Sequence, residues 1–407
     1  MKDFTFHALK EPPFYFALIV ASMFVSTFTG GIGYILYYPM LLFICLYYNR
    51  KIQRNNLNSV FGWFLLACLL SILLNEILPV FKTPFRFTAY TILLFGITPI
   101  LFNRKKAVMC FKFLQYTCLL LVFVGFLNYY LYRTGSLSIM EGNRVYAGTI
   151  GTNYLGMLCS MGILYAGSLL LYRKNIKKIY VFIFTGLLLG LLLCLLLSSS
   201  RNSIVGIIGS ALIMIYIQKK GKIGSTVTLF VMLAALAIFT FPIWEDYTVG
   251  ILDKQGGSTE SFNMRSREST WLTRWDEFTS SPIYGIGFAS VSNPTEFSLM
   301  TGMVETTTGW GGLLSQLGLL GAVPFIMLTY KNFRYLLSRK DGHFVHCLLG
   351  ALLTFFCINS LGEGYITTVG CQFTVYFFLT QGIIYSLRMG WISINHLKPL
   401  FFNQKRV

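Results

Sequence analysis

Long apolar runs recur along this chain, and they constrain its fold more than any other feature. About twelve of them have the length of a membrane-spanning helix. A helix of about 20 apolar residues crosses the hydrocarbon core of a bilayer, where only helices or closed barrels satisfy their own backbone hydrogen bonds. The pattern therefore predicts an all-α polytopic membrane protein with about twelve transmembrane helices. The predicted spans are 14–29, 31–49, 59–78, 85–102, 108–131, 150–171, 179–198, 203–217, 226–243, 309–330, 344–361 and 366–387.

The basic residues lie in short clusters between the apolar runs. The chain carries a net charge of +18, although only 12% of its residues are charged and 55% are hydrophobic. In a soluble protein such a charge would suggest nucleic acid as a partner. Clusters between apolar runs are instead typical of the cytoplasmic loops of membrane proteins. We therefore expect membrane lipid, and no nucleic acid, as a partner.

The distribution of charge predicts the orientation. With the N-terminus in the cytoplasm, 24 basic and 3 acidic residues fall on the inner side, and the outer side keeps 9 basic and 12 acidic residues. Lysine and arginine are enriched in cytoplasmic loops. This asymmetry predicts that both termini are cytoplasmic and that residues 1–407 form a single membrane domain.

One long polar segment, residues 244–309, separates the ninth and tenth predicted spans. Loops of this length between helices are usually functional or disordered, and the mixture of aromatic, basic and acidic residues here argues against disorder. The orientation places this segment outside the membrane as a partly helical loop. We expect the chemistry of the protein to involve it.

A short amphipathic helix is predicted within this loop, from Arg265 to Ser280. On a helical period, Arg267, Trp271 and Arg274 fall on one face with Phe278. Such a helix can lie on the membrane surface, with tryptophan at the interface and arginine at the headgroups, and it can also present its arginines to a lipid-linked anion. The sequence SSPIYGIG that follows predicts a turn.

Nine basic residues fall on the outer side, and four of them precede helices that begin there. Arg144 precedes the sixth span, Arg201 the eighth, and Arg267 and Arg274 the tenth. A helix N-terminus favours an anion, and arginine can bind two phosphate oxygens at once. These four residues are therefore candidate ligands for a diphosphate at the outer leaflet. We interpret four further external basic residues as headgroup anchors or as partners of loop carboxylates: Lys82, Arg86, Arg133 and Lys254.

The order of these motifs resembles the O-antigen ligase and Wzy-type O-antigen polymerase family of bacterial membrane glycosyltransferases. The resemblance covers roughly residues 140–330. Its pieces are NRVYAGTIGTNYLG with Arg144 and Asn153, LSSSRNSIVG with Arg201, RESTW and SPIYGIG with Arg267, Trp271, Pro282, Gly285 and Gly287, and LSQLGLLG with Gly318 and Gly321. It implies a GT-C-like membrane fold and assigns catalytic roles to Arg201 and Arg267.

The chain departs from the family pattern at one place. Family members usually carry His-Asn eleven residues before the first glycine of Gly-Leu-x-Gly, and here the corresponding residues are Thr307 and Thr308. We expect these two threonines and Trp271 to position the acceptor. An external carboxylate could replace the histidine as a general base, and the candidates are Glu305 and Glu363.

The resemblance implies transfer of a glycan from undecaprenyl diphosphate at the outer face of the bacterial inner membrane. We expect a polymerase that joins lipid-linked repeat units of O-antigen or a related surface polysaccharide. One alternative is a ligase that transfers the glycan to lipid A core, and another is a transporter or flippase for polyprenyl-linked sugars. Arginine can stabilise a diphosphate leaving group, so we expect a metal-independent reaction without a cofactor. A chain-length regulator is a candidate partner.

Overall fold

The computed structural model describes residues 11–25, 29, 31–48, 60–75, 82–101, 104–135, 140–141, 144–145, 152–172, 176–248, 265–292, 308–339, 341–368 and 371–401.

The described residues are almost entirely helical. The helices before the long polar segment are α1 (Pro12–Met23), α2 (Ile32–Tyr48), α3 (Val60–Leu74), α4 (Lys82–Leu101), α5 (Arg104–Thr134), α6 (Thr152–Leu171), α7 (Lys178–Leu197), α8 (Arg201–Gln218) and α9 (Ile223–Phe239). α10 (Arg265–Ser280) lies within that segment, and α11 (Gly309–Ser338), α12 (Phe344–Asn359) and α13 (Gln372–Arg388) follow it. The only described strands, β1 (Met140–Glu141) and β2 (Arg144–Val145), form a two-residue antiparallel ladder.

Each of the twelve predicted spans overlaps one of these helices. Five helices of the described chain are long and apolar enough to cross a membrane by themselves, which identifies a multi-pass, all-helical membrane protein. They are Lys106–Thr134, Thr152–Leu171, Lys178–Leu197, Arg201–Gln218 and Gly309–Ser338. The number of twelve spans and the cytoplasmic location of both termini stay predictions.

Three of the predicted boundaries were wrong by six residues or more, and one of them is the end of the tenth span, which was expected at residue 330 although α11 continues to Ser338. The first span was expected to reach residue 29, but α1 ends at Met23. The last was expected to begin at residue 366, but α13 begins at Gln372. Residues 360–368 form turns instead, and the Thr374 hydroxyl holds them by donating to the carbonyls of Tyr365 and Thr368, at 2.6 and 2.7 Å.

The core lies around α6, α12 and α13, which are buried along most of their length. α8 packs along α12, and α6 packs against α5, α7 and α8. α11 lies between α3 and α10. This arrangement brings the N-terminal ends of α6, α8 and α11 together with the C-terminal end of α12.

Candidate active site

The serine-rich turn before α8 places Arg201 at the first position of that helix. Ser199 has a φ of 52°, and Ser198, Ser199 and Ser200 are all buried. Ser200 stands at the N-cap position, but its hydroxyl donates to the Ser203 hydroxyl at 2.9 Å and does not cap a backbone N–H. The buried turn therefore holds the backbone of Arg201 in place.

α6 approaches this turn closely because it presents Gly156 there. A Cβ atom at this position would lie 2.5 Å from the Ser200 Cβ and 3.0 Å from the Ser203 hydroxyl oxygen. Any larger residue would push α6 away from the turn. The start of α6, with Asn153, is thus held beside the start of α8.

Asn359, the last residue of α12, links this turn to the segment that follows α12. The Asn202 side chain donates to the Asn359 backbone carbonyl at 2.6 Å. The Asn359 amide donates to the Ser203 hydroxyl at 3.3 Å, and its side-chain oxygen accepts from the Tyr365 hydroxyl. Asn359 is fully buried, so these partners satisfy an amide that water does not reach.

Glu363 lies in the turn between Asn359 and Tyr365. Its carboxylate accepts a hydrogen bond from the Asn153 side chain at 2.9 Å, and its backbone carbonyl accepts from Tyr365 N at 3.0 Å. Glu363 is half-buried. The geometry therefore places a carboxylate, held by an amide, at the same end of the bundle as Arg201.

The N-terminus of α11 docks on the same turn, through Thr308 and Ser360. Thr308 caps the helix by accepting from Gly311 N at 3.2 Å. Gly309 N donates to the Ser360 carbonyl at 2.8 Å, and Gly312 N donates to the Thr308 carbonyl at 2.9 Å. The first N–H groups of α11 are thus already paired, which contradicts the expectation that this helix end offers them to a diphosphate.

Arg274 of α10 packs against this N-terminus and is buried. A Cβ atom at Gly311 would lie 3.1 Å from the Arg274 side chain, and the guanidinium forms an ion pair of 2.9 Å with Glu277, one turn along the same helix. Glu277 also accepts from the backbone and the hydroxyl of Ser292, both at 2.7 Å. This clamp favours a supporting role for Arg274 over direct contact with a diphosphate.

α11 is interrupted at Gly318, whose φ of 58° and ψ of −162° are not helical. The backbone of the turn after α10 replaces the lost helical partners. Leu319 N donates to the Pro282 carbonyl at 2.8 Å, and Leu320 N donates to the Ile283 carbonyl at 2.9 Å. The predicted turn at SSPIYGIG is therefore also the segment that completes α11.

The same segment is tied to the residues just before the break. Ile286 N donates to the Ser315 carbonyl at 2.9 Å, and the Gln316 side chain accepts from Ala289 N at 3.2 Å. A Cβ atom at Gly285, whose φ is +72°, would lie 2.3 Å from the Gln316 carbonyl. Glycine is required here because two backbones lie in contact.

The structure thus brings five of the residues named in the sequence analysis to one end of the bundle. They are Asn153, Arg201, Arg274, Thr308 and Glu363, linked by the contacts described above. Trp271 lies on α10 and is 37% exposed. Glu305, Thr307 and the side chains of Arg144 and Arg267 lie outside the described residues, so their roles stay predictions.

Sequence reasoning did not single out Asn359 or Tyr365. Each stands near the end of an apolar run, in the sequence NSLGEGY, where a polar residue is unremarkable. Only the packing of α8 on α12 shows that Asn359 meets residues about 160 positions away.

Two further arginines that were predicted to be external, Arg133 and Arg86, differ in exposure. Arg133, in the last turn of α5, is exposed, as a headgroup anchor would be. Arg86 is only 5% exposed, near Tyr38 and Tyr90. Its interpretation as a headgroup anchor was therefore wrong, because α4 turns this side chain into the bundle, and the alternative of a loop carboxylate as its partner stays a prediction.

A comparison with known families identifies the family that this site resembles. The matched segment contains the motif with Arg201, the motif with Arg267 and the break in α11. Residues 186–326 match the O-antigen ligase family. The resemblance to O-antigen ligases and Wzy-type polymerases, drawn from the motifs, is thereby confirmed for this segment. Members of this family are glycosyltransferase-like enzymes, which supports an enzymatic role for this membrane protein. A comparison with curated proteins found no match.

The O-antigen ligase match accounts for about a third of the 407 residues. It includes Arg201, Arg267 and Arg274, which come before residues 293–307, and it includes Thr308 and Gly318, which come after them. Asn153 precedes it and Glu363 follows it. The structure therefore adds to the O-antigen ligase segment a carboxylate and an amide that the match itself does not contain.

Proposed function

We propose that this protein polymerises undecaprenyl-diphosphate-linked oligosaccharide repeat units at the outer face of the bacterial inner membrane. The match to the O-antigen ligase family supports glycan transfer in general. The structure supports a site at the end of the bundle where Arg201 and Glu363 lie, close to the segment that carries Arg267.

The observation that favours a polymerase over a ligase is the residue at the family's histidine position. Thr307 and Thr308 stand there, and Thr308 serves as the N-cap of α11. Of the three described histidines, His343 and His346 lie at the end of α12 opposite Asn359, and His396 follows α13. In the ligases, that histidine is the expected activator of the acceptor hydroxyl. A chain without it is better suited to another base and another acceptor.

The proposed reaction is a displacement at the anomeric carbon of the donor. The acceptor hydroxyl loses its proton to Glu363, its oxygen forms a bond to that carbon, and the bond from the carbon to the diphosphate oxygen breaks. Undecaprenyl diphosphate leaves with the bonding electron pair. Arg201 and Arg267 stabilise the charge that develops on it, and Asn153 orients the carboxylate.

Glu363 is preferred over Glu305 as the base because its surroundings are defined. Its carboxylate accepts a hydrogen bond from Asn153, and its backbone carbonyl lies 3.1 Å from a Cβ atom built at Gly309, the first residue of α11. Glu305 stands two residues before that position and remains the second candidate.

The ligase stays the second candidate function, because the matched family is described as O-antigen ligase. A transporter is less well supported. A transporter is expected to have broken helices around a cavity. Here the break in α11 is filled by the protein's own backbone at residues 282–283.

The test of the proposed function is a lipopolysaccharide gel of a strain that lacks the protein. A polymerase predicts core capped with a single repeat unit, because ligation survives while polymerisation is lost. Bare core with lipid-linked polymer in the membrane would identify the ligase. An unchanged ladder would contradict a role in O-antigen and direct the test to another surface polysaccharide.

A further inference from the structure

Asn359 forms the junction between the two turns that carry the proposed catalytic charges. Arg201 stands between Ser200 and Asn202, and Glu363 lies between Asn359 and Tyr365. The turn with Arg201 is held through Asn202 and Ser203, and the turn with Glu363 through Tyr365.

Each of these bonds uses a different group of Asn359. The backbone carbonyl accepts from Asn202, the side-chain amide donates to Ser203, and the side-chain oxygen accepts from Tyr365. Among the residue types only asparagine and glutamine offer a side-chain donor and acceptor in one amide. Because the residue is fully buried, each bond is stronger than in water and its loss costs more.

Tyr365 is held on its other side as well. Its backbone carbonyl accepts from the Thr374 hydroxyl at 2.6 Å, and its ring packs on Phe373 with the ring centroids 5.8 Å apart. Both partners belong to α13 and its first turn. The phenol therefore reaches Asn359 from a fixed base, and the Glu363 turn cannot shift without breaking this bond.

We propose that Asn359 and Tyr365 are positioning residues that set the separation between the Arg201 guanidinium and the Glu363 carboxylate. The proposal rests on the proposed function, in which the first group binds the diphosphate and the second accepts the proton. A change in this separation leaves each group able to act but misplaces the acceptor oxygen relative to the donor. Small displacements of this kind can reduce a rate by about a hundredfold.

The variant that tests this is Tyr365→Phe, which removes one hydroxyl and keeps the ring. Its matched control is Tyr116→Phe, since the hydroxyl of Tyr116 donates to the Glu11 carboxylate at 3.0 Å and both tyrosines are 2% exposed. Tyr116 belongs to α5, away from the proposed site. Asn359→Ala is the second variant, for the case in which one lost hydroxyl is tolerated.

Two quantities are measured on each purified protein: the turnover number for extension of lipid-linked repeat units, and the affinity for undecaprenyl diphosphate alone. We expect Tyr365→Phe to lower kcat by about 10- to 100-fold with an affinity within about twofold of the native value. Tyr116→Phe should leave both unchanged, with a loss of melting temperature similar to that of Tyr365→Phe.

The proposal is overturned if neither Tyr365→Phe nor Asn359→Ala changes kcat, or if affinity falls in proportion to kcat, as general damage to the fold predicts. Native protein that neither extends repeat units nor binds undecaprenyl diphosphate would overturn the proposed function itself. Native activity with an unaffected Tyr365→Phe and Asn359→Ala would overturn the positioning role alone.

Discussion

Arg201 carries the charge on which the proposed transfer depends most. It begins α8 in a buried turn, where the helix dipole adds to its attraction for an anion. Replacement by alanine removes this charge from the leaving group. Replacement by lysine keeps the charge but loses the two-pronged contact with phosphate oxygens.

We expect Arg201→Ala to reduce glycan transfer at least about 100-fold and Arg201→Lys to retain a small part of it. The measurement is the rate of repeat-unit extension at equal protein levels in the membrane. Arg133→Ala is the control, since that arginine is exposed at the end of α5. Equal activity of Arg201→Ala and Arg133→Ala would remove Arg201 from the site.

Glu363 is the proposed general base of the transfer. As a base it must be ionised, so the rate of the native protein should fall as pH drops and the carboxylate takes up a proton. Glu363→Gln keeps a similar shape but cannot accept the proton. We expect it to lose about 100-fold or more in rate and to lose this pH dependence.

The pH–rate profiles of the native protein, Glu363→Gln and Glu305→Gln provide the check. A native-like profile for Glu363→Gln and a flat one for Glu305→Gln would reverse the choice between the two carboxylates.

At the scale of elements, the interrupted helix α11 depends on Gly318. Its φ of 58° disfavours any residue with a side chain, and an added Cβ would lie 2.5 Å from the Ile283 carbonyl group. We expect Gly318→Ala to cost roughly 2–4 kcal/mol, because strained backbone and overlap both contribute. The measurement is thermal unfolding in detergent.

Gly186→Ala is the matched control, because nothing lies within 4 Å of an added Cβ there and the residue is in the middle of α7. Alanine should be neutral or stabilising at that position by up to about 1 kcal/mol. If both variants melt at the native temperature, the contact between α11 and residues 282–286 does not contribute to the fold.

The loop between α11 and α12 contains two ionisable residues, Asp341 and His343, that should make the stability of the fold depend on pH. His343 caps α12 by accepting from Val345 N at 3.2 Å, and burial lowers the pKa of its imidazole below the ordinary 6.5. Burial alone would raise the pKa of Asp341, but hydrogen bonds from His343 N and the His346 ring outweigh it and lower that pKa. Both folded-state values thus lie below the unfolded ones.

A group with a depressed pKa stabilises the fold above its unfolded pKa, and this contribution is lost as pH falls through the folded value. His343 should therefore lose its contribution below about pH 6.5, and Asp341 at more acidic pH. We expect His343→Asn, which keeps a capping residue without an ionisable ring, to melt with a smaller dependence on pH between 8 and about 5.5. An equal dependence in both proteins would contradict the role of His343.

These elements also show how far sequence reasoning reaches. Hydropathy predicted a span over each of the twelve long apolar helices, because a membrane imposes length and apolarity on each span, but it missed three helix ends by six to eight residues. It could not show that Pro282 and Ile283 complete α11, since that contact joins residues far apart in sequence. Periodicity placed Arg274 on the correct helix, but its burial against Gly311 depends on a neighbour that periodicity does not identify.

The site was predictable in part for the same reason. Arg201 and Glu363 were named from residue type and predicted side of the membrane, which are local properties. The hydrogen bond from Asn153 to Glu363 and the junction at Asn359 span about 160 to 210 residues, and they follow only from the packing of α6, α8 and α12.

For the whole molecule, the proposed function requires that the end of the bundle with Arg201 and Glu363 faces outward. Charge asymmetry predicts this orientation, with twelve spans and both termini inside. Alkaline phosphatase fused after Thr248 should be active, and green fluorescent protein fused after Val407 should fluoresce. Activity of the two reporters at the opposite positions would place the proposed site on the cytoplasmic side and exclude the proposed substrate.

The most direct test of the central claim is a transfer assay with purified protein, undecaprenyl-diphosphate-linked repeat units and lipid A core in one reaction containing EDTA. A polymerase should give a ladder of longer lipid-linked glycans, released undecaprenyl diphosphate and an unmodified core. Transfer of the glycan to lipid A core without a ladder would contradict the polymerase and identify a ligase.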